Sequence, residues 1–133
     1  CPNVSERLLL VYIVSAAEIL KSEKPLALCI FGKRQLHHAR LRPLGSQSLK
    51  IDFVEKNPQA EVRRQGKIDA FKIALETQPL ESNLEKPEKF SFLGFHEDIV
   101  FFIDPASKLP IQISGKIPRV GKSTLKLNEV QLK

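Results

Sequence analysis

The residues with the most suggestive chemistry are GKIPRVGKST, positions 115–124. They nearly spell a phosphate-binding loop, which sets four residues between its glycines and closes on Lys-Ser/Thr. Here five residues separate Gly115 from Gly121. Such a loop also needs a strand before it and a helix after it, so that backbone N–H groups and the helix N-terminus hold the anion. Pro118 removes one of those donors, and TLKLNEVQL continues as a strand. Nucleotide binding is therefore not expected. His37-His38 invites a metal, but neighbours on a strand point to opposite faces and cannot easily share one ion. His96 is the only other histidine, and the pair is expected to be solvated on a basic hairpin. Glu97-Asp98 would also split between faces if extended, which gives no support to a paired-carboxylate glycosidase. No Gly-x-Ser-x-Gly elbow is present. The chain is expected to be no enzyme, with no catalytic residue, metal or cofactor.

Cys1 and Cys29 are the only cysteines. Two allow one disulfide where the compartment oxidises thiols. Cys29 stands in the apolar run LALCIF and reads as a buried free thiol, while Cys1 at the first position would suit a lipid-modified N-terminus. The formal charge of +6 permits contact with an anionic surface without choosing one. Lys33, Arg34, Arg40 and Arg42 fall on one hairpin, and Lys116, Arg119, Lys122 and Lys126 on the last. If the two hairpins are neighbours, they form a positive surface suited to the anionic envelope. The plainer reading is that outward lysines keep sheet edges soluble. Nucleic acid is disfavoured, because no aromatic residue interleaves these basic ones past Phe31.

The elements that would position these groups can be read from periodicity. At 133 residues, 42% apolar and 27% charged, the chain suits one globular domain able to bury a core. Its longest apolar run, Leu8–Val14, is far short of the roughly 20 residues of a spanning helix. Nor does it read as a signal peptide, since no basic region precedes it. Ser5 to Lys21 is expected to be a helix, with Ser5 as N-cap and an apolar face of Leu8, Leu9, Tyr12, Ile13, Ala16, Ala17 and Leu20. Leu26–Phe31, Gln35–Arg42, Gln47–Val54 and Lys67–Thr77 read as strands, the last with Phe71, Ile73 and Leu75 inward and Lys72 outward. The charged tract from Asn57 to Gly66 is expected to be a connection, and Gln78 to Glu88 the longest irregular loop.

From Lys89 onward the chain reads as a β-meander: FSFLGF, EDIVFFID, LPIQISGKI, then STLKLNEVQL. Ile99–Ile103 is apolar on both faces, which marks a central strand. Asp104-Pro105 opens a turn, because Asp bonds forward to backbone N–H groups and Pro presets φ. Ile111, Ile113 and Gly115 are expected to share one side. Leu125 and Leu127 share a phase that Val130 and Leu132 leave, so a β-bulge is expected near Asn128.

GKIDAFKIALE (66–76) and DIVFFIDPASKLPIQISGKIPRVGKSTLKL (98–127) together resemble the C-terminal portion of a bacterial exported family, the domain of unknown function numbered thirty-one-oh-eight. The matching positions are Gly66, Phe71, Asp104, Pro110 and Gly121, and SERLLLVYIVSAAEIL is similar to the family's short apolar segment with a central Tyr, here Tyr12. The family has further strands before that segment. The resemblance implies a curved antiparallel sheet in a periplasmic or envelope setting, and it implies no activity.

The expected fold is mostly β: one domain over residues 1–133, lacking the family's N-terminal strands. It would be a curved antiparallel meander or partial barrel with one N-terminal helix on its concave side. The expected function is a non-enzymatic envelope protein that binds an apolar or amphiphilic ligand through Tyr12, Phe53, Phe71 and Phe101 on that concave face, or that assists another envelope component. The alternative is an interaction module that docks a protein partner through a strand edge or a basic hairpin.

Overall fold

A computed structural model describes residues 3–21, 24–32, 36–79 and 90–131. The elements run β1 (Asn3–Ser5), a single 3-10 turn (Glu6–Leu8), α1 (Leu9–Leu20), β2 (Leu26–Phe31), β3 (Leu36–Lys56), β4 (Glu61–Pro79), β5 (Glu97–Ile103), β6 (Pro110–Ile117), β7 (Gly121–Lys126) and β8 (Glu129–Gln131). The strands form one sheet in the order β1-β2-β3-β4-β5-β6-β7, and β8 leaves that path to pair with β3. From β2 to β7 every neighbour is antiparallel, so the meander spans most of the chain rather than its last third. Of the described strand pairs, only β1 on β2 and β8 on β3 are parallel. Among the described residues no helix is long and apolar enough to cross a membrane.

The parallel β1–β2 pair needs a crossover, and α1 supplies it. Helix wins over the β-branched cluster Val11, Ile13 and Val14 because the apolar spacing fits a helical stripe. Leu9, Ile13, Ala16 and Ala17 are all buried, at the i, i+4, i+7 and i+8 spacing of one face. Leu8 is exposed rather than part of that face. Ser5 stands extended before the 3-10 turn, and its side chain makes no capping bond. Cys29 is buried and disulfide-bonded, which corrects the free-thiol expectation. The β1–β2 register sets Asn3 opposite Cys29 and so brings the start of the described chain to it. Cys1, the other cysteine, lies outside the described residues.

The β3–β4 ladder is the spine of the sheet, pairing His37 with Pro79 at one end and Lys56 with Glu61 at the other. Two expected strands, Gln35–Arg42 and Gln47–Val54, are one strand. A bulge interrupts its register between Pro43 and Ser46, and Gly45 takes a positive φ of 83° there. The charged tract Glu61–Gly66 is strand as well, not a connection. The actual turn is only Asn57–Ala60, where the Asn57 side-chain oxygen accepts from the backbone N–H groups of Gln59 and Ala60. No apolar alternation announces this part of β4, because cross-strand ion pairs rather than burial hold it.

The bulge inverts the phase of β3, since one extra residue moves every later side chain to the other face. Above it, Ala39 and Leu41 face α1; below it, Leu49, Ile51 and Phe53 face the opposite side. Two cores result. Under the helix lie Leu9, Ile13, Leu28, Ile30, Leu41, Phe71, Ile73, Leu75, Phe95, Phe101 and their neighbours. On the other face Phe53, Ala70, Phe102 and Ile111 pack with Leu49, Ile51, Ile68, Val100, Leu109 and Leu127 around them. Alternation along β4 and β5 serves both: Phe71 and Phe101 feed the first, Ala70 and Phe102 the second. Lys72, expected outward, lies 5.7 Å over the Phe102 ring.

A second register shift, between Phe102 and Ile103, sends Ile111 into the second core while Ile113 joins the first. The expectation that they share a side is thereby corrected. FSFLGF is not a strand either. Phe92 and Phe95 bond to each other across a two-residue turn at Leu93-Gly94, both with positive φ. The Asp104 turn forms as expected, its carboxylate accepting from Ala106 N–H and the Ser107 hydroxyl. The break expected near Asn128 is larger than a bulge. After Leu127, whose N–H still donates to the Ile111 carbonyl at 2.9 Å, the chain leaves β6 and crosses to β3, where the Asn128 carbonyl accepts from Val54 N–H at 3.0 Å. Most of the expected loop from Gln78 to Glu88 lies outside the described residues.

Gly115 packs directly against Phe95 in the first core. A Cβ there would stand 2.9 Å from Phe95 Cδ1 and 3.1 Å from its Cβ, and Phe95 is fully buried. Overpacking of this kind costs about 1–3 kcal/mol. Gly115→Ala should lower the midpoint of chemical denaturation accordingly, and should cost less in a Phe95→Leu background. A Gly115→Ala protein at least as stable as its parent would contradict this packing.

Candidate functional site

Of the four aromatic residues expected to line one concave pocket, three share a cluster and Phe53 does not. Phe71 and Phe101 are buried under the helix, with Tyr12 half-buried at the margin of the same cluster. Phe101 meets Phe92 edge-on, with ring centroids 5.6 Å apart. Phe53 belongs to the second core, on the other side of the sheet.

The basic residues divide too. Arg40 and Arg42 stand on β3, and Lys116, Arg119, Lys122 and Lys126 on β6, its turn and β7, with β4 and β5 between the two groups. Lys33 and Arg34 lie outside the described residues. Acidic groups interrupt the face: Arg42 Nε is 2.9 Å from Glu76 and Lys116 Nζ 3.2 Å from Asp98. Among the described residues the two groups are thus not neighbours, and no continuous positive surface joins them.

Other suggestive chemistry resolves into ordinary structure. Residues 121–126 are strand, and Pro118–Val120 form a turn closed by Val120 N–H donating to the Ile117 carbonyl at 3.1 Å. A strand, not a helix N-terminus, follows this turn. His37 and His38 do face opposite ways, but His37 is buried, its ring edge-on to Phe90 at 5.5 Å, rather than solvated. Strand pairing turns it into the first core. Among the described residues no group of His, Cys, Asp or Glu could hold a metal ion.

What the structure offers instead is an edge. One side of β3 pairs with β4 along nearly its whole length. The other side pairs with β2 over Leu36–Leu41 and with β8 over Val54–Lys56. Between them, over residues 42–53, no described strand pairs with it. Pro43, which has no N–H to give, and the bulge blunt the upper part of this edge. Below them, Gln47–Phe53 keeps a regular ladder with β4 and presents its other side unpaired.

A groove of about 290 Å³ runs beside this stretch, lined by Leu49, Lys50, Ile51, Asp52 and Phe53 on the β3 side and by Ile111, Gln112, Lys126, Leu127 and Asn128 opposite. It exists because β7 ends at Lys126 and its chain crosses over to become β8, leaving a fork. The hairpin below is braced by two bidentate pairs. Arg63 donates Nε and Nη2 to the Asp52 carboxylate, both at 2.9 Å, and Arg64 grips Glu55 at 3.0 and 3.2 Å. The hydrogen bond from Arg63 is the main reason the Asp52 carboxyl sits below its ordinary range, helped by the guanidinium charge and by Gln65 and opposed by partial desolvation. Periodicity could not reveal this site, because an unpaired edge is decided by where β2, β7 and β8 end.

Protein-family models, curated proteins and solved structures were each compared with this chain, and none matches.

A lowered folded-state pKa means that the Asp52 contribution is fully present above the unfolded aspartate pKa and is lost as pH falls through the lower folded value. By NMR titration the Asp52 carboxyl should have its midpoint below the ordinary aspartate value of 3.8, and Arg63→Gln should raise it. A midpoint at or above the ordinary value in the parent would show that the Arg63 fork does not persist in solution.

Proposed function

We propose that this protein is a non-enzymatic interaction module of the cell envelope that takes an extended segment of a protein partner along the edge of β3, at Gln47–Phe53. The supporting observation is the gap itself: a regular strand whose free edge lies between β2 and β8, with a groove of mixed apolar and polar lining alongside. An incoming strand would continue the sheet, exchanging main-chain hydrogen bonds with β3 and placing alternate side chains over Leu49, Ile51 and Phe53. Disulfide bonding of Cys29 supports an oxidising compartment, as in exported proteins.

Magnitudes indicate where selectivity must come from. Each main-chain hydrogen bond is worth about 0.5–1.5 kcal/mol net, while fixing one residue of a free segment costs roughly 1–2 kcal/mol. These nearly cancel along an added strand. Binding therefore depends on side chains that reach the groove and its rim. Capture of an apolar ligand by Tyr12, Phe53, Phe71 and Phe101 has less to rest on, since Phe53 lies across the sheet from the others and Phe101 is fully buried.

A display selection of random peptides against the whole protein, with the best binder mapped by amide chemical shifts, tests the proposal. Perturbation should concentrate on Gln47–Phe53, Ile111 and Leu127. Binders that map to α1 or to the basic turn at Arg119, or a selection without enrichment, would contradict it.

A further inference from the structure

We infer that the segment taken at this edge is acidic, alternating carboxylate side chains with apolar ones; the inference rests on the docking edge proposed above. On the side of the β3–β4 ladder away from the groove, Lys50 stands directly opposite Lys67. Like charges directly opposite one another on a sheet destabilise it. Neither lysine, nor Lys126 on the far wall of the groove, is in an ion pair; those near the hairpin join Asp52 to Arg63, Glu55 to Arg64 and Lys56 to Glu61.

The two acids nearest the lysines on this face, Asp52 and Asp69, form no ion pair with either of them. Asp52 shares the face of Lys50 but is held by both nitrogens of the Arg63 fork. Asp69 pairs across with Ser48, diagonal to Lys50, and forms no ion pair. A strand added at the free edge would place its own side chains next to those of β3, face for face. Residues on the groove face meet Leu49, Ile51 and Phe53 and should be apolar. Residues on the other face meet Ser48, Lys50 and Asp52, with Lys67 one strand further in. A carboxylate beside Lys50 relieves the repulsion between the two lysines, whereas a lysine there adds a third positive charge.

The test uses two end-capped peptides of about ten residues, one alternating valine with glutamate and the other valine with lysine, titrated into the labelled protein. The glutamate peptide should bind about ten-fold more tightly, the size of effect that one or two solvent-exposed charge contacts can supply. The preference should shrink with added salt. K50E/K67E should reverse the preference, while R119E/K122E, which makes the same change in net charge at the turn and start of β7, should leave it in place.

Equal binding of both peptides, with shifts along Gln47–Phe53, would overturn the acidic partner and leave the docking edge standing. A preference that survives K50E/K67E, or that is lost equally in R119E/K122E, would show general attraction to a basic protein and overturn the inference. Failure of both peptides to perturb Gln47–Phe53 would count against the docking edge itself.

Discussion

The structure depends on one extra residue in β3. The bulge between Pro43 and Ser46 changes which side chains of that strand face the helix. Without it, a single face of a long ladder would have to bury residues all the way from Ala39 to Phe53, and α1 is too short to cover them. With it, the sheet buries its helix side in one half and its opposite side in the other. β4 and β5 need no bulge of their own for this, since each alternates into both cores. Gly45 carries the left-handed backbone that the bulge requires at little cost.

The second core is covered differently from the first. No helix is available on that side, so the sheet covers it with its own far end. The shift at Phe102–Ile103 turns Ile111 inward, Leu127 follows, and β8 anchors the crossing chain on Val54–Lys56. This economy leaves residues 42–53 of β3 with one edge unpaired among the described strands. Pro43, the bulge and Lys50 are devices that keep such edges from pairing at random. Only Gln47–Phe53 retains both regular geometry and a groove, which is why a docking role is assigned there.

Much of this architecture could be read from residue patterns. The helix stripe, the boundaries of β2, the inward set Phe71, Ile73 and Leu75, the two-faced β5 and the turn at Asp104 all follow from local periodicity and turn chemistry. What was illegible is of another kind. Glu61–Gln65 carries no apolar alternation because its partners are ionic, so it looked like a loop. Pro43 and Gly45 looked like the end of a strand, when they only shift its phase. The split of Phe53 from Phe71 and Phe101 depends on that shift, and three residues of β1 are too few to show a period. The candidate edge was the least legible feature, since it is defined by strands that stop short of it.

Amide hydrogen exchange along β3 in the free, monomeric protein is the most direct measurement of the claim that this edge is open. Residues 37–41, flanked by β2 and β4, should exchange slowly throughout. Across Gln47–Phe53, protection should alternate, with amides bonded to β4 slow and the intervening ones, which point to the free edge, fast. Slow exchange at every amide from 47 to 53 would mean that the edge is already occupied, and the docking site would have to be abandoned.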